Sequence, residues 1–234
     1  MARLYTLPPS HFCERARWAL DHSGRAYVER RWAVGLHGPL ARRLAPETSL
    51  PILDIGGGVI QGSGGILDWC GTPGGDRVLE RRLEHVVGPL VRRYVYSATL
   101  HDPASGVRRV LTDGVPHAQA FVVRLGWPIL RRAMAAGLDA RPERLPELES
   151  ALDAELAHLE LRLGGERHLV GGRFGRADLT AASLLAPLAR PAECPLYRRV
   201  VMAEPLGRVL AAWENRPALA WVRSIYVAHR RSPA

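Results

Sequence analysis

Almost all strand-like segments of this 234-residue chain lie before a single break, the sequence Thr-Pro-Gly-Gly at residues 72–75. Short apolar runs and alternating patterns predict strands at 3–7, 27–34, 50–55 and 58–61. Apolar positions at helical spacing, with turn residues around them, predict helices at 11–22, 39–44 and 63–70. The order is strand-helix-strand-helix-strand-strand-helix, which predicts a small α/β domain over residues 1–72.

After the break the pattern becomes helical. Apolar residues recur at helical spacing in five segments, at 77–99, 116–136, 145–163, 177–188 and 206–224. Residues 101–115 contain Pro103, Gly106 and Gly114, and we expect them to form a long loop. The sequence therefore predicts a second, all-helical domain over residues 77–234.

Three short motifs in the first region narrow the fold further. Residues 9–15 read Pro-Ser-His-Phe-Cys-Glu-Arg, residues 50–53 read Leu-Pro-Ile-Leu, and residues 61–66 read Gln-Gly-Ser-Gly-Gly-Ile. In this order and spacing they resemble the thioredoxin-like half of the cytosolic glutathione S-transferases, and the helical remainder extends the resemblance over essentially the whole chain. The resemblance implies a thioredoxin-like α/β domain followed by an all-α domain. It also implies glutathione as co-substrate and an electrophilic small molecule as second substrate.

The resemblance gives Ser10 the catalytic role. The segment that begins at Ser10 is similar to the Cys-Pro-Phe-x-Glu-Arg segment of omega-type transferases, with serine in the place of their cysteine. A cysteine there favours mixed disulfides and thiol transfer, whereas a serine hydroxyl donates to the thiolate of glutathione. One hydrogen bond to a charged acceptor contributes about 1.5–3 kcal/mol, or about one to two units of thiol pKa. Ser10 is also a good N-cap for the predicted helix 11–22, and the two roles are compatible.

Five further residues are implied to bind glutathione. Pro51 is expected to follow a cis peptide bond, which aims the N–H and C=O of Leu50 at the cysteinyl unit. Ser63 begins a helix whose N-terminus suits the γ-glutamyl carboxylate, although plain N-capping also explains a serine there. The family usually carries Glu or Asp just before this serine to pair with the α-amino group, whereas this chain has Gly62. Gln61 is then the substitute, a neutral acceptor whose hydrogen bond is roughly half as strong as a charged one.

The second substrate is expected between the two domains, against the helix 77–99 and the loop that follows it. Aromatic residues that offer apolar walls are Tyr94, Tyr96, Phe121 and Trp127. Arginines that offer a partner for the glycyl carboxylate of glutathione are Arg17, Arg42 and Arg43. Aromatic residues at helical spacing more often belong to the core, so none of these four aromatic residues is assigned to the site. The sequence does not distinguish among the three arginines.

The cysteines limit the redox chemistry. There are three, at Cys13, Cys70 and Cys194, and no two have the C-x-x-C spacing of a zinc or redox motif. We therefore expect no metal and no disulfide framework. Cys13 lies about one helical turn after Ser10, where it is either a second thiol activated by the helix start or a packing residue. His11 is expected to be exposed rather than catalytic.

The charge balance argues against a nucleic-acid partner. The net charge is +9, but all 32 basic residues are arginines, and they are spread along the chain and often stand beside acidic residues. No apolar run reaches the roughly 18 residues that a membrane-spanning helix needs, and the N-terminus lacks the apolar segment of a signal peptide. We expect a cytoplasmic protein that acts as a homodimer, as the resemblance implies, without membrane or nucleic-acid partners.

Two other functions stay open. Gly175 stands where the family has a Ser or Thr helix cap, three residues before Asp178. Together with Gly62 it favours a transferase fold retained as a binding or regulatory module without turnover. The second alternative is a glutathione-dependent reductase or isomerase that uses Cys13.

Overall fold

The computed structural model describes residues 1–201 and 206–230. Its first part contains a four-stranded sheet made of β1 (Ala2–Thr6), β2 (Tyr27–Arg31), β3 (Ile52–Asp54) and β4 (Val59–Gln61). The strand order is β2-β1-β3-β4. β1 pairs in parallel with β2 and antiparallel with β3, and β3 pairs antiparallel with β4. This is the thioredoxin-like arrangement that the sequence predicts.

Three helices accompany this sheet, namely α1 (His11–His22), α2 (His37–Arg42) and α3 (Ser63–Cys70). α1 begins at His11 because the Ser10 side chain accepts a hydrogen bond from the Cys13 N–H at 3.3 Å, as an N-cap does. α1 packs against α3 and also against a helix of the second part, α10 (Arg176–Ala189). The helix that carries Ser10 at its start is therefore enclosed on both sides.

The described residues after Gly71 form helices and turns. The helices are α4 (Arg77–Arg82), α5 (Gly88–Thr99), α6 (Val107–Leu111), α7 (His117–Leu125), α8 (Trp127–Leu138), α9 (Leu145–Leu163), α10, α11 (Pro195–Arg198), α12 (Leu206–Trp213) and α13 (Pro217–His229). A π-helical turn, Leu83–Val87, joins α4 to α5, and 3-10 turns lie at Pro103–Ser105 and Pro142–Arg144. Every residue of α10 is buried, so α10 is the centre of this helical part.

Three predicted elements differ from the structure. The predicted loop 101–115 contains α6, which is too short for a helical period to be visible and which buries Val107, Val110 and Leu111. The predicted helix 206–224 is two helices, because Pro217 has no N–H to continue α12 and instead occupies the first turn of α13. Segment 116–136 is likewise divided at Gly126 into α7 and α8. Residues 202–205 and 231–234 of the predicted second domain lie outside the described residues.

The linker after the sheet packs tightly against the start of α10. The Arg176 N–H donates to the Pro73 carbonyl at 2.7 Å, and a Cβ atom on Gly175 would lie 2.7 Å from that same carbonyl oxygen. Asp178, the third helical residue, accepts from the Gly175 N–H at 2.9 Å and from the Leu169 N–H at 2.8 Å. The helix is therefore capped without a side chain at Gly175. The close approach of the linker explains why a glycine stands there, since a larger residue would collide with it.

We expect Gly175→Ser to destabilise the protein, although serine is the better N-cap by a few tenths of a kcal/mol. Its Cβ has to displace the Pro73 carbonyl, and overpacking of this kind costs about 1–3 kcal/mol. Chemical denaturation of the two proteins measures the difference. Gly57→Ser is the matched control, since a Cβ there meets nothing within 4 Å. Its effect should stay within about 0.5 kcal/mol, and a Gly175→Ser protein as stable as the wild type contradicts the packing argument.

Candidate functional site

A cavity of about 600 Å³ opens between the sheet-containing part and the helices. Ser10, His11 and Leu50 line it from the first side. The opposite walls are mostly apolar and come from α5, α6, α8 and the segment near α11, with Val95, Val107, Val110, Leu111, Leu130, Met134, Leu138, Tyr197 and Val200. A pocket of this size with few polar groups suits a small organic molecule.

The Ser10 side chain both caps α1 and borders the cavity. Its oxygen accepts the N-cap hydrogen bond from Cys13 at 3.3 Å, which uses a lone pair and leaves the hydroxyl proton free. The same side chain lines the cavity. The structure therefore confirms the N-cap interpretation and leaves a donor available to a ligand at the start of α1.

Leu50 lies in the same cavity. The Leu50–Pro51 peptide bond is cis, as the resemblance implied. The Pro51 carbonyl accepts from the Gly62 N–H at 2.9 Å, and no described residue pairs with the backbone N–H or C=O of Leu50. Of the predicted site residues, Ser10 and Leu50 are the two that the cavity brings together.

Gln61 is engaged within the chain. Its side-chain nitrogen donates to the carbonyls of Glu47 and Ser49, both at 2.9 Å, and its side-chain oxygen accepts from the Glu47 N–H at 3.2 Å. Thr48 and Ser49 line the cavity beside Leu50. Gln61 thus braces the loop 47–49, and both ends of its carboxamide are occupied.

Gly62 and Ser63 lie apart from this cavity. Gly62 has φ +86° and ψ 146°, a region that glycine adopts readily and other residues avoid. Ser63 is buried, and its hydroxyl accepts from the guanidinium of Arg15 at 3.3 Å. Gly62 instead borders a second, open groove of about 320 Å³ between α3 and α4.

An acidic side chain does stand at the start of α3, but it comes from another part of the chain. Glu84, in the π-helical turn, pairs with Arg15 at 3.2 Å. A Cβ atom built on Gly64 would lie 3.4 Å from its carboxylate. Sequence reasoning missed this residue, because nothing in the local pattern brings position 84 beside position 63.

Cys13 lacks the environment of a reactive thiol. It is completely buried, it is not among the residues that line the cavity, and its sulfur accepts from the Leu7 N–H at 3.4 Å. Burial raises the pKa of Cys13, whereas reactive cysteines have lowered pKa values and access to solvent. The structure thus favours the packing interpretation of Cys13.

His11 contradicts the expectation that it is exposed. Its side chain lines the cavity but is only 4% exposed, and Nε2 has no hydrogen-bond partner among the described residues. Burial, helped by the nearby Arg92 charge and opposed by a backbone hydrogen bond to Gly88, lowers the His11 pKa to about 3. The imidazole is therefore neutral at pH 7, and it is too weak a base to take a proton from a thiol of pKa about 8.5.

The other candidates divide among three environments. Tyr96 lines the cavity, whereas Tyr94 is in the core and donates to Glu149 at 3.1 Å. Phe121 is 60% exposed on α7, and Trp127 packs against the neighbouring cores without reaching the cavity. None of the three arginines considered for the glycyl carboxylate lines the cavity; these are Arg17, Arg42 and Arg43.

Both the sequence and the fold of this chain are similar to known glutathione S-transferases. Residues 4–71 match the glutathione S-transferase N-terminal domain family. Among solved structures, a glutathione S-transferase from Xanthobacter autotrophicus Py2 is 20% identical, with a TM-score of 0.52 over 97% of this chain and 93% of that one. The beta-etherase LigF from Sphingobium sp. strain SYK-6 is 17% identical, with a TM-score of 0.59 over 95% and 98% of the two chains.

A glutathione S-transferase from Methylobacterium radiotolerans, in complex with glutathione sulfonate, is 19% identical. Its TM-score is 0.50 over 94% of this chain and 92% of that one. No curated protein sequence matches this chain. Within residues 1–201 and 206–230, no helix has the length and apolar character needed to cross a bilayer. In the same residues, no group of three or more His, Cys, Asp or Glu side chains is arranged to hold a metal.

The buried His11 predicts an acid-sensitive component of stability. Its pKa is 6.5 when exposed and about 3 in the folded protein, so between these values the unfolded chain binds the extra proton. The His11 ring therefore does not affect the free energy of unfolding above pH 6.5, and it lowers that free energy as the pH falls from 6.5 towards about 3. At about pH 4 the loss due to His11 alone is about 3 kcal/mol.

Chemical denaturation at several pH values measures this loss in the wild type and in His11→Gln. The variant lacks the titrating ring, so it should lose less stability than the wild type between pH 6.5 and about 4. Above this window the difference between the two proteins should not change with pH. Parallel curves for the two proteins throughout the acid range contradict the burial of a neutral ring.

Proposed function

We propose that this chain, whose residues 4–71 match the glutathione S-transferase N-terminal domain family and whose fold is that of solved transferases, binds glutathione in the cavity and transfers it to an electrophilic small molecule. The observation that carries the proposal is the shared position of the Ser10 hydroxyl and the Leu50 backbone at one end of a largely apolar cavity. A polar end suits the tripeptide thiol, and apolar walls suit the electrophile.

Ser10 stabilises the thiolate of glutathione. Its free hydroxyl proton is donated to the sulfur, and the N-terminus of α1 adds a favourable field for an anion. A hydrogen bond to a charged acceptor lowers a thiol pKa by about one to two units, which makes the thiolate a major species at neutral pH. Because His11 is too weak a base, the thiol proton is released to solvent. The sulfur then attacks the electrophilic carbon, the C–S bond forms, and the leaving group departs with its electron pair.

The rest of the tripeptide is assigned to the residues around Leu50 and the start of α3. The free N–H and C=O of Leu50 pair with the cysteinyl unit, and Gln61 keeps the loop 47–49 in place beside them. The γ-glutamyl end extends from the cavity to the groove between α3 and α4, which Gly62 borders and beside which Ser63 is buried. There Glu84 provides the carboxylate that position 62 lacks, because it lies against Gly64.

The two alternatives lose part of their support. Gly175 has a packing reason in the linker contact, so it no longer favours a module without turnover. That alternative now depends on Gly62 alone. A reductase or isomerase that uses Cys13 is disfavoured by the burial of the thiol and its raised pKa. Ether cleavage, the activity named for one structural neighbour, uses an alkoxide or phenoxide as leaving group and fits the same thiolate chemistry.

A homodimer is the assembly that we propose, and an exposed apolar face supports it. Phe121 and Leu125 on α7 and Ile129 on α8 are 60%, 67% and 76% exposed. Phe121 and Leu125 are four residues apart and share one side of α7, and Ile129 follows in the first turn of α8. A monomer rarely leaves adjacent large apolar side chains in water, so this face suits contact with a second copy of the chain.

Isothermal titration with glutathione at neutral pH, followed by conjugation assays, tests the proposed function. We expect saturable binding, and a thiolate whose ultraviolet absorbance titrates about one to two pH units below that of free glutathione. In Ser10→Ala, that pKa should rise towards its free value and kcat/KM should fall about tenfold to a hundredfold. No binding at millimolar glutathione contradicts the proposal.

Two variants separate catalysis from helix capping at Ser10. Ser10→Asp keeps a good N-cap but has no proton to donate, so it should be folded and inactive. Ser10→Thr keeps both functions and should retain most of the activity. A Ser10→Asp protein with wild-type conjugation rates shows that the residue is only a cap. Glutathione binding without conjugation of any electrophile favours the module without turnover.

Sedimentation velocity tests the dimer. Leu125→Glu puts a charge in the centre of the apolar face, so we expect it to shift the protein from dimer to monomer. Leu161→Glu, at an 83% exposed position on α9, is the matched control and should leave the dimer intact. A monomeric wild type at micromolar concentration contradicts the homodimer. Dimers that persist in Leu125→Glu contradict this face as the contact.

A further inference from the structure

The charge distribution of the cavity is one-sided. Among the described residues that line it, none is acidic, and Arg92 of α5 is the residue with a permanent charge. Two histidines also line the cavity, His11 and His37, and burial lowers the pKa of both, so they add no positive charge at pH 7. The cavity thus combines apolar walls with a single cation.

Arg92 has no partner within the described part of the chain. No hydrogen bond or ion pair to its guanidinium is found there, whereas most other arginines near the domain junction pair with carboxylates. Its neighbour Arg93 reaches the Leu138 carbonyl and the Asp139 carboxylate instead. Arg92 is exposed as well as bordering the cavity, so its guanidinium is hydrated in the free protein and open to an anion from a ligand.

The position of Arg92 places this cation close to the reacting end of the cavity. Its charge acts on His11, which follows Ser10 in the chain. It also lies one helical turn before Tyr96, another lining residue whose hydroxyl is available as a donor. A ligand anion at Arg92 therefore lies in the same cavity as Ser10 and the apolar side chains of α5, α6 and α8.

Building on the proposed function, we propose that Arg92 selects the second substrate, and that this substrate is an electrophile with an apolar body and a carboxylate. The guanidinium pairs with the carboxylate in a charge-assisted hydrogen bond, and the apolar walls enclose the remainder. Arg92 acts as a specificity-determining residue and does not take part in the bond changes at sulfur.

Binding of unreactive ligands tests the proposal without any need for turnover. The probes are dinitrobenzoate and dinitrobenzamide, which differ in charge and little in shape, titrated into the full-length protein without glutathione. We expect the benzoate to bind about tenfold more tightly than the amide. Arg92→Gln should abolish this preference without weakening the amide, and Arg92→Lys should keep part of it.

Arg109→Gln is the matched control, because Arg109 is an exposed arginine on α6 that does not line the cavity. It removes the same charge and should leave the preference unchanged. An equal loss in Arg109→Gln and Arg92→Gln indicates a general effect of net charge and overturns the proposal. Equal affinity of the wild type for benzoate and amide also overturns it.

Turnover separates this proposal from the proposed function. The substrates are chlorodinitrobenzoate, with chlorine para to the carboxylate, and its carboxamide. The glutathione thiolate attacks the carbon that bears chlorine, the C–S bond forms, the C–Cl bond breaks, and chloride leaves with the electron pair. Arg92→Gln should lower kcat/KM about tenfold for the benzoate and not for the amide.

Each remaining outcome decides between the two proposals. Benzoate preference in binding, with no conjugation of either substrate, means that the transferase proposal fails while the anion site stands. Conjugation of both substrates with an equal loss in Arg92→Gln means that Arg92 serves glutathione, which overturns its role in substrate selection.

Discussion

The position of the candidate site depends on one buried arginine. Arg15, on α1, is completely buried, pairs with Glu84 at 3.2 Å and Glu80 at 3.7 Å, and donates to Ser63 at the start of α3. Burial lowers the pKa of Arg15, and the two carboxylates oppose that shift. A buried charge is tolerated only while its partners stay in place, so α1, α3 and the segment 77–87 are held together. Ser10 and His11, at the start of α1, line the cavity, so this cluster fixes one of its walls.

The same helix has a second set of partners along its length. Arg230, which directly follows α13, pairs with Glu14 at 2.8 Å and with Asp21 at 2.7 Å, and the Trp18 side chain donates to the His229 carbonyl at 3.3 Å. α1 is thus tied to α3 and the segment 77–87 through Arg15, and to the end of the described chain through Glu14 and Asp21. A hydroxyl at the start of a helix held in this way has little freedom, which is the condition for stabilising a thiolate by one hydrogen bond.

Local sequence patterns predicted those features of the fold and the site that depend on residues close together in the chain. The bounds of α1, α3 and α9 follow from apolar spacing and caps, and the N-cap role of Ser10 is a rule of the helix start. The expectation that His11 is exposed was wrong because α5 covers its side chain. No local signal in the sequence indicates contact with a helix that begins more than 70 residues later. The bracing role of Gln61 and the approach of Glu84 to Gly64 depend in the same way on contacts between distant segments.

The absence of an acid at Gly62 therefore bears on the ligand differently from what the motif alone suggests. Around the start of α3, three acids stand among four arginines. The acids are Asp68, Glu80 and Glu84, and the arginines are Arg15, Arg77, Arg81 and Arg176. The γ-glutamyl end of glutathione is a zwitterion with one ammonium and one carboxylate. In the proposed complex, Glu84 accepts the ammonium while it keeps its ion pair with Arg15, and the carboxylate meets the remaining positive charge of the groove. On this proposal the ammonium needs no further acid at position 62, because Glu84 supplies the carboxylate from the π-helical turn.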